Sequence, residues 1–294
     1  MRPEPEREPE REPELAEWLS LREEADAAAR AHELVDLLRQ IGTGRGGPLV
    51  VHDLGCGTGA MGRWLAGQLP GPQHWVLYDR DLALLRRAAT GMDRTAADGA
   101  PVTVATRQRD LATLTGADLA GAGLVTASAL LDVLTGDEVA RIAAACRQAA
   151  CPALLTLSVQ GRVTLDPPDP LDAQVAAAFN AHQRRRVGGR RLLGPDAPDV
   201  AAGAFSRLGA TVCERSTPWR LGPEQGGLIG EWLRGWVGAA CAQRPALAAP
   251  GAAYLERRLA AVSAGRLRVV VGHRDLLAWF QSASPPSSKR SDSA

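Results

Sequence analysis

The densest chemical signal in the chain is the stretch VHDLGCGTGAMG, residues 51–62. Asp53 is followed by Gly55, Gly57 and Gly59 at alternate positions, and then by Gly62. Glycine lets a backbone approach a ligand closely and take positive φ. The window from Gly57 to Gly62 satisfies G-x-G-x-x-G, a dinucleotide fingerprint. Asp79 lies 20 residues beyond Gly59, where an acid can hold the ribose hydroxyls of any adenosine-bearing ligand. These features do not separate one adenosine ligand from another, but Asp53 does. A pyrophosphate seeks backbone amides at a helix N-terminus. A carboxylate two residues before the first glycine is a poor neighbour for it and suits a ligand carrying positive charge.

Such a loop must join the end of a strand to the start of a helix, and the flanking sequence supplies both. PLVVHDL, 48–54, reads as a buried strand and 59–69 as a helix. Further strands are expected at 74–79 (HWVLYD), 102–108 (VTVATRQ), 123–129 (GLVTASA), 153–159 (ALLTLSV) and 210–216 (ATVCERS), with a seventh in RLRVVVGHRDLLAWF at 266–280. His273 is expected to begin a turn after that last strand, and His52 to pack against a helix. Helices are expected at 81–90 with Asp81 as N-cap, at 135–149 with a Thr135–Glu138 capping box, and at 199–208. Apolar residues at spacings of three and four between Leu15 and Ile41, with Arg22 among them, predict an N-terminal helix over 15–44. Residues 224–263 read as helical, with Trp232 and Trp236 one turn apart.

Strand and helix in alternation predict an α/β fold: a Rossmann-like, seven-stranded, mostly parallel sheet with helices on both faces. The N-terminal helix and a helical insertion between strands six and seven are additions to it. The main domain is expected over 45–281, with 161–198 as a candidate substrate lid and 224–263 as the insertion. The EPER repeat at the start and the polar end predict disordered tails at 1–14 and 282–294.

The chain has 294 residues, 45% of them hydrophobic and 23% charged, an ordinary globular composition. A net charge of +1 argues against a nucleic-acid protein held by bulk charge. Cysteines at 56, 146, 151, 213 and 241 form no CxxC pair, and no metal site is expected. No apolar run approaches the roughly 20 residues that cross a bilayer. The acidic, proline-rich start is unlike a signal peptide. The expectation is a soluble cytoplasmic protein, monomeric or homodimeric, without membrane or nucleic-acid partners.

The string Asp53-Leu-Gly55-Cys56-Gly57-Thr-Gly59 resembles the first motif of the class I S-adenosylmethionine-dependent methyltransferases. WVLYDRDLALLRRA resembles the family's second motif and RQRDLATL its third. The resemblance covers roughly 45–160 well and the later strands more weakly. It implies S-adenosylmethionine as cofactor. The loop residues Asp53, Gly55, Cys56, Gly57 and Gly59 would wrap the methionine half. Asp79 would bind ribose, Arg80 would flank the adenine, and Asp110 and Leu111 would sit beside it. GLVTASALLDVLTGDEV resembles the segment facing the methyl group, which carries Ser128, Leu131 and Asp132.

The acceptor is less legible. FNAHQR at 179–184 and WRLGP at 219–223 resemble segments found in sequences of this class. They make His182 the candidate general base and Asn180, Gln183, Arg184 and Trp219 candidate substrate contacts. Arginines 184, 185, 186, 190 and 191 could bind a carboxylate or phosphate on a substrate. Ser128-Ala-Leu-Leu-Asp132 stands where nucleobase-amine methyltransferases carry an Asn/Asp-Pro-Pro-aromatic motif, which disfavours that class. The reading is methyl transfer to a small-molecule oxygen or nitrogen. The alternatives are an RNA or protein methyltransferase, a non-catalytic S-adenosylmethionine-binding or interaction protein, and an NAD-linked oxidoreductase.

Overall fold

The computed structural model of the chain describes residues 11–42 and 47–281. Residues 1–10 and 282–294, read from the sequence as tails, lie outside these. The N-terminal helix foreseen over 15–44 is two helices, α1 (Arg11–Ala29) and α2 (His32–Ile41), so α1 takes in residues 11–14 as well. The break has a tertiary cause. The Ala31 amide donates to Asp275 Oδ2 at 3.0 Å instead of to a helical carbonyl.

The chain continues through β1 (Leu49–Leu54), α3 (Ala60–Ala66), β2 (Gln73–Asp79), α4 (Leu82–Gly91), β3 (Val102–Gln108) and β4 (Leu124–Ser128). Next come α5 (Gly136–Ala149), β5 (Ala153–Asp166), α6 (Asp172–Gln183), the short hairpin β6 (Arg186–Val187) and β7 (Arg190–Arg191), and α7 (Ala197–Arg207). The last elements are β8 (Thr211–Ser216), β9 (Trp219–Leu221), α8 (Gly226–Gln243), α9 (Ala248–Ser263) and β10 (Arg268–Trp279).

The main sheet has the order β3-β2-β1-β4-β5-β10-β8, with β9 beside β10. Strands β1 to β5 pair in parallel, and β10 runs antiparallel to β5, β8 and β9. The Rossmann-like, mostly parallel sheet expected from the alternation is therefore present, with β9 as an additional strand. The chain lays β2 and β3 on one side of β1 and then crosses to place β4 on the other. The carboxyl ends of β1 and β4 thus bound the switch point, where such sheets hold ligands.

Both faces are covered. Leu34 and Leu38 of α2, Met61 and Leu65 of α3 and Leu85 and Ala88 of α4 pack with Val51, Trp75 and Leu77 on one face. Val139 and Ile142 of α5 and Ala201 and Phe205 of α7 pack with Leu54, Val76 and Val125 on the other. Burial on both faces is why β1 opens on the apolar run Leu49-Val50-Val51, with His52 and Asp53 buried after it. The caps foreseen at two helices are present. Asp81 accepts from the Ala83 and Leu84 amides at 2.8 and 3.1 Å, and Thr135 and Glu138 form a reciprocal capping box.

A third cluster lies at the end of β5 and the start of β10, where Val175 of α6, Trp232 and Trp236 of α8 and Tyr254 of α9 close on Leu165, Trp219 and Val269. Trp232 and Trp236 stack at 4.9 Å. Three expectations change. Residues 161–166, expected in a lid, extend β5. His273 sits within β10, buried and tilted against Trp219 at 5.1 Å, and does not begin a turn. His52 bonds the Tyr78 hydroxyl at 3.0 Å across two neighbouring strands, where a helix contact was expected. Among the described residues, no helix is long and apolar enough to cross a membrane.

Candidate active site

A cavity of about 620 Å³ opens at the switch point, within the range of ligand pockets. The loop after β1 forms its floor. Gly55, Gly57 and Gly59 take φ of 63°, 54° and 85°, a conformation that costs a residue with a Cβ. At Gly57 an added Cβ would also lie 3.1 Å from Leu19 of α1. Gly59 is the N-cap of α3 and packs on Ala88 rather than lining the cavity. Asp79, at the end of β2, fixes the loop by accepting from the Gly57 and Asp81 amides, each at 3.0 Å. A carboxylate has about four lone pairs, so Asp79 retains capacity for a ligand.

Asp53, Gly55, Cys56, Gly57, Asp79 and Arg80 all line the cavity, as do Asp110, Leu111 and Ser128. Asp110 caps a short turn through Oδ1, which accepts from the Ala112 amide at 2.9 Å. Cys56 is buried, and burial pushes its thiol well up. Ala129, next to Ser128, holds a φ of 50°. This turn brings Leu130 over Gly55, where a Cβ would meet Leu130 at 2.7 Å.

Asp53 pairs in register with Thr126 of β4, whose hydroxyl donates to Asp53 Oδ1 at 2.7 Å. Among the described residues its Oδ2 is buried without a hydrogen-bond partner. Burial raises the Asp53 carboxyl to about 7, against the opposing pull of the Thr126 bond and the Arg30 charge. Arg30, 3% exposed, lines the same cavity. It donates from Nη2 to Ser128 Oγ at 3.0 Å and lies over the Trp64 ring at 5.2 Å. Its Nε and Nη1 are buried without partners among the described residues. Two buried groups of opposite charge therefore face one cavity, each with unused hydrogen-bonding atoms. Buried polar atoms are otherwise almost always paired.

Arg30 was not singled out in the sequence, nor was the rest of the α1 wall. Leu15, Leu19, Arg22, Asp26 and Arg30 follow one another at spacings of three and four and all line the cavity. Arg22 grips Asp26 through Nε and Nη2 at 2.9 and 3.1 Å and covers the Trp219 ring at 4.9 Å. The available signal was Arg22 itself, a charged residue within an apolar helical stripe.

The acceptor residues foreseen from the sequence fare differently. His182 lies on α6, outside the cavity lining, with its imidazole lowered by burial and by the Arg185 charge. Asn180 Nδ2 donates to the Gly161 carbonyl at 2.8 Å and fastens α6 to β5. Gln183 packs against Gly194, and Arg184 is locked to Asp196 by two bonds of 2.7 and 2.6 Å. Trp219 is buried behind Arg22 and donates to Asp26 at 3.0 Å. Leu131 belongs to the core. None of these six lines the cavity; Asn180 and Gln183 of α6 are instead engaged by Gly161 of β5 and by Gly194. Asp132 is half-buried and is not in the lining either, although Leu130 and Val133 on either side of the Leu131–Asp132 pair are. Burial raises its carboxyl to about 6, opposed by the Arg22 and Arg185 charges. Arg185, Val187, Arg190 and Leu192 form the far wall.

No protein-family model and no curated protein matches the chain. Solved structures do match. A cyclopropane synthase from Mycobacterium tuberculosis is 15% identical, with 84% of this chain and 83% of that chain covered at a TM-score of 0.45. Magnesium protoporphyrin IX methyltransferase from Synechocystis, solved with bound SAH, is 15% identical over 74% of this chain and 84% of that chain, at 0.40. The YcgJ protein of Bacillus subtilis is 12% identical over 86% of this chain and 99% of that chain, at 0.45. None of these similarities assigns a role to a residue of this chain.

Proposed function

We propose that this chain is a class I S-adenosylmethionine-dependent methyltransferase acting on a small-molecule oxygen or nitrogen. One observation carries the reading: Arg30 and Asp53, buried, oppositely charged and each with unpartnered atoms, share a cavity with Asp79. An α-amino acid supplies the complements, a carboxylate for Arg30 Nε and Nη1 and an ammonium for Asp53 Oδ2. Asp79 would hold ribose hydroxyls, and Asp110 would accept from an exocyclic amine through its free Oδ2. S-adenosylmethionine carries these groups in that order. A dinucleotide would set a pyrophosphate against Asp53.

When bound, the cofactor supplies a methyl group on a sulfonium, an excellent leaving group. The chain's own work is alignment and exclusion of water, and such positioning is worth roughly 7–11 kcal/mol. Leu130, Val133, Leu134 and Leu192 supply an apolar wall for this. A hydroxyl acceptor must also lose its proton. Neither Asp132 nor His182 is itself in the cavity lining, but Asp132 adjoins the lining residue Val133 and its carboxyl is raised to about 6, so it is the group we assign to take that proton.

Calorimetric titration with S-adenosylmethionine, S-adenosylhomocysteine (SAH) and NAD tests the proposal. Binding of the first two and not the third is expected. No binding of either sulfur compound, or a preference for NAD, would overturn it.

A further inference from the structure

The wall of the cavity away from Asp79 is built by the segment after α6, and its charges are unequally spent. Arg190 is held by Glu138 through two bonds of 3.0 and 2.7 Å, and Glu138 in turn caps α5. Arg184 is locked to Asp196 outside the cavity. Across the cavity, Arg22 is matched by Asp26. Arg185 differs. It lines the cavity, is exposed, and among the described residues forms no ion pair. Among the described residues its one side-chain hydrogen bond, from Nη1 to the His182 carbonyl at 3.0 Å, holds the guanidinium against the end of α6. A guanidinium has five N–H donors in a planar fork, so most of this one is unspent. Asp132 acts on it electrostatically without bonding to it, and Arg22 adds a second positive charge to the same region.

Resting on the cofactor reading above, we propose that the acceptor is a small acid whose carboxylate or phosphate is gripped by Arg185. Arg30 is assigned to the amino-acid end of the cofactor, so the two arginines serve two different anions in one cavity. Of the arginines in the 184–191 run, the structure leaves Arg185 as the one in the cavity wall without a carboxylate partner. The grip is a charge-assisted fork, the geometry for which arginine is suited to planar carboxylates and to phosphates.

The test is calorimetry on SAH-saturated protein, in which Arg30 is already occupied. Inorganic phosphate and 4-hydroxybenzoate are titrated separately into wild type, Arg185→Gln and, as a control, Arg184→Gln. Binding of at least one probe to wild type is expected, weakened about tenfold or more by Arg185→Gln and unchanged by Arg184→Gln, with SAH affinity equal in all three. Which probe binds tells a phosphate acceptor from a carboxylate one. If SAH binds and neither probe does, or if Arg185→Gln binds the probe as wild type does, the acid-acceptor proposal falls alone. If wild type binds no SAH, the cofactor reading falls and this proposal falls with it.

Discussion

Asp53 shows how a site residue works against the fold that holds it. Its carboxyl stands at about 7 where an ordinary one stands at 3.8, because burial disfavours the charged form. The folded chain therefore holds this proton more tightly than the unfolded chain does. The group's stabilising contribution is full below the unfolded value and is lost as pH rises toward 7. A ligand ammonium would reverse that preference. Asp53→Asn is expected to raise the unfolding midpoint of the ligand-free protein at pH 8, with no such gain at pH 4. It should also weaken S-adenosylmethionine binding by about tenfold or more, the loss of a charge-assisted hydrogen bond. Thermal unfolding at the two pH values and calorimetry at pH 8 read both effects. An unchanged affinity would remove Asp53 from the binding site.

At the scale of elements, α1 is fastened to the glycine loop from outside. Glu23 receives two bonds from Arg63 of α3, at 2.7 and 2.6 Å, and Arg63 Nη1 donates to the Thr58 carbonyl at 2.6 Å. One arginine thus ties the helix that covers the cavity to the loop that floors it. Glu23 and Arg63 are 31% and 24% exposed, so the pair is worth no more than about 1 kcal/mol. Glu23→Gln is expected to speed SAH release by up to about fivefold, with little change in overall stability. Stopped-flow displacement checks this, and an unaltered release rate would show that the tie does not restrain the ligand.

For the whole molecule, the cavity draws its walls from parts of the chain far apart in sequence: α1, the β1 and β4 ends, and the segment after α6. A ligand there should order all of them together. Hydrogen exchange with SAH is expected to slow not only at 53–59 but also at 15–30. At about a hundredfold excess over Kd the ligand should add roughly 2.7 kcal/mol of stability. Protection confined to the loop would mean that α1 takes no part in binding.

The sequence by itself determined the alternation of strands and helices, the caps at Asp81 and Thr135, and the loop with Asp53 and Asp79. These are local matters: periodicity, cap chemistry and glycine spacing act within a few residues of one another. It also carried the arginine run but could not rank its members, since each is chemically alike until neighbours such as Asp196 and Glu138 are brought to some of them. Only the tertiary structure decided that His182 stays outside the cavity lining and that Arg30 enters it. Residue 30 meets Ser128 across 98 positions of chain, and its helix is ended by a bond to Asp275 from the far end of the sequence. Such contacts follow from how the sheet and its helices pack, and no pattern within α1 itself encodes them.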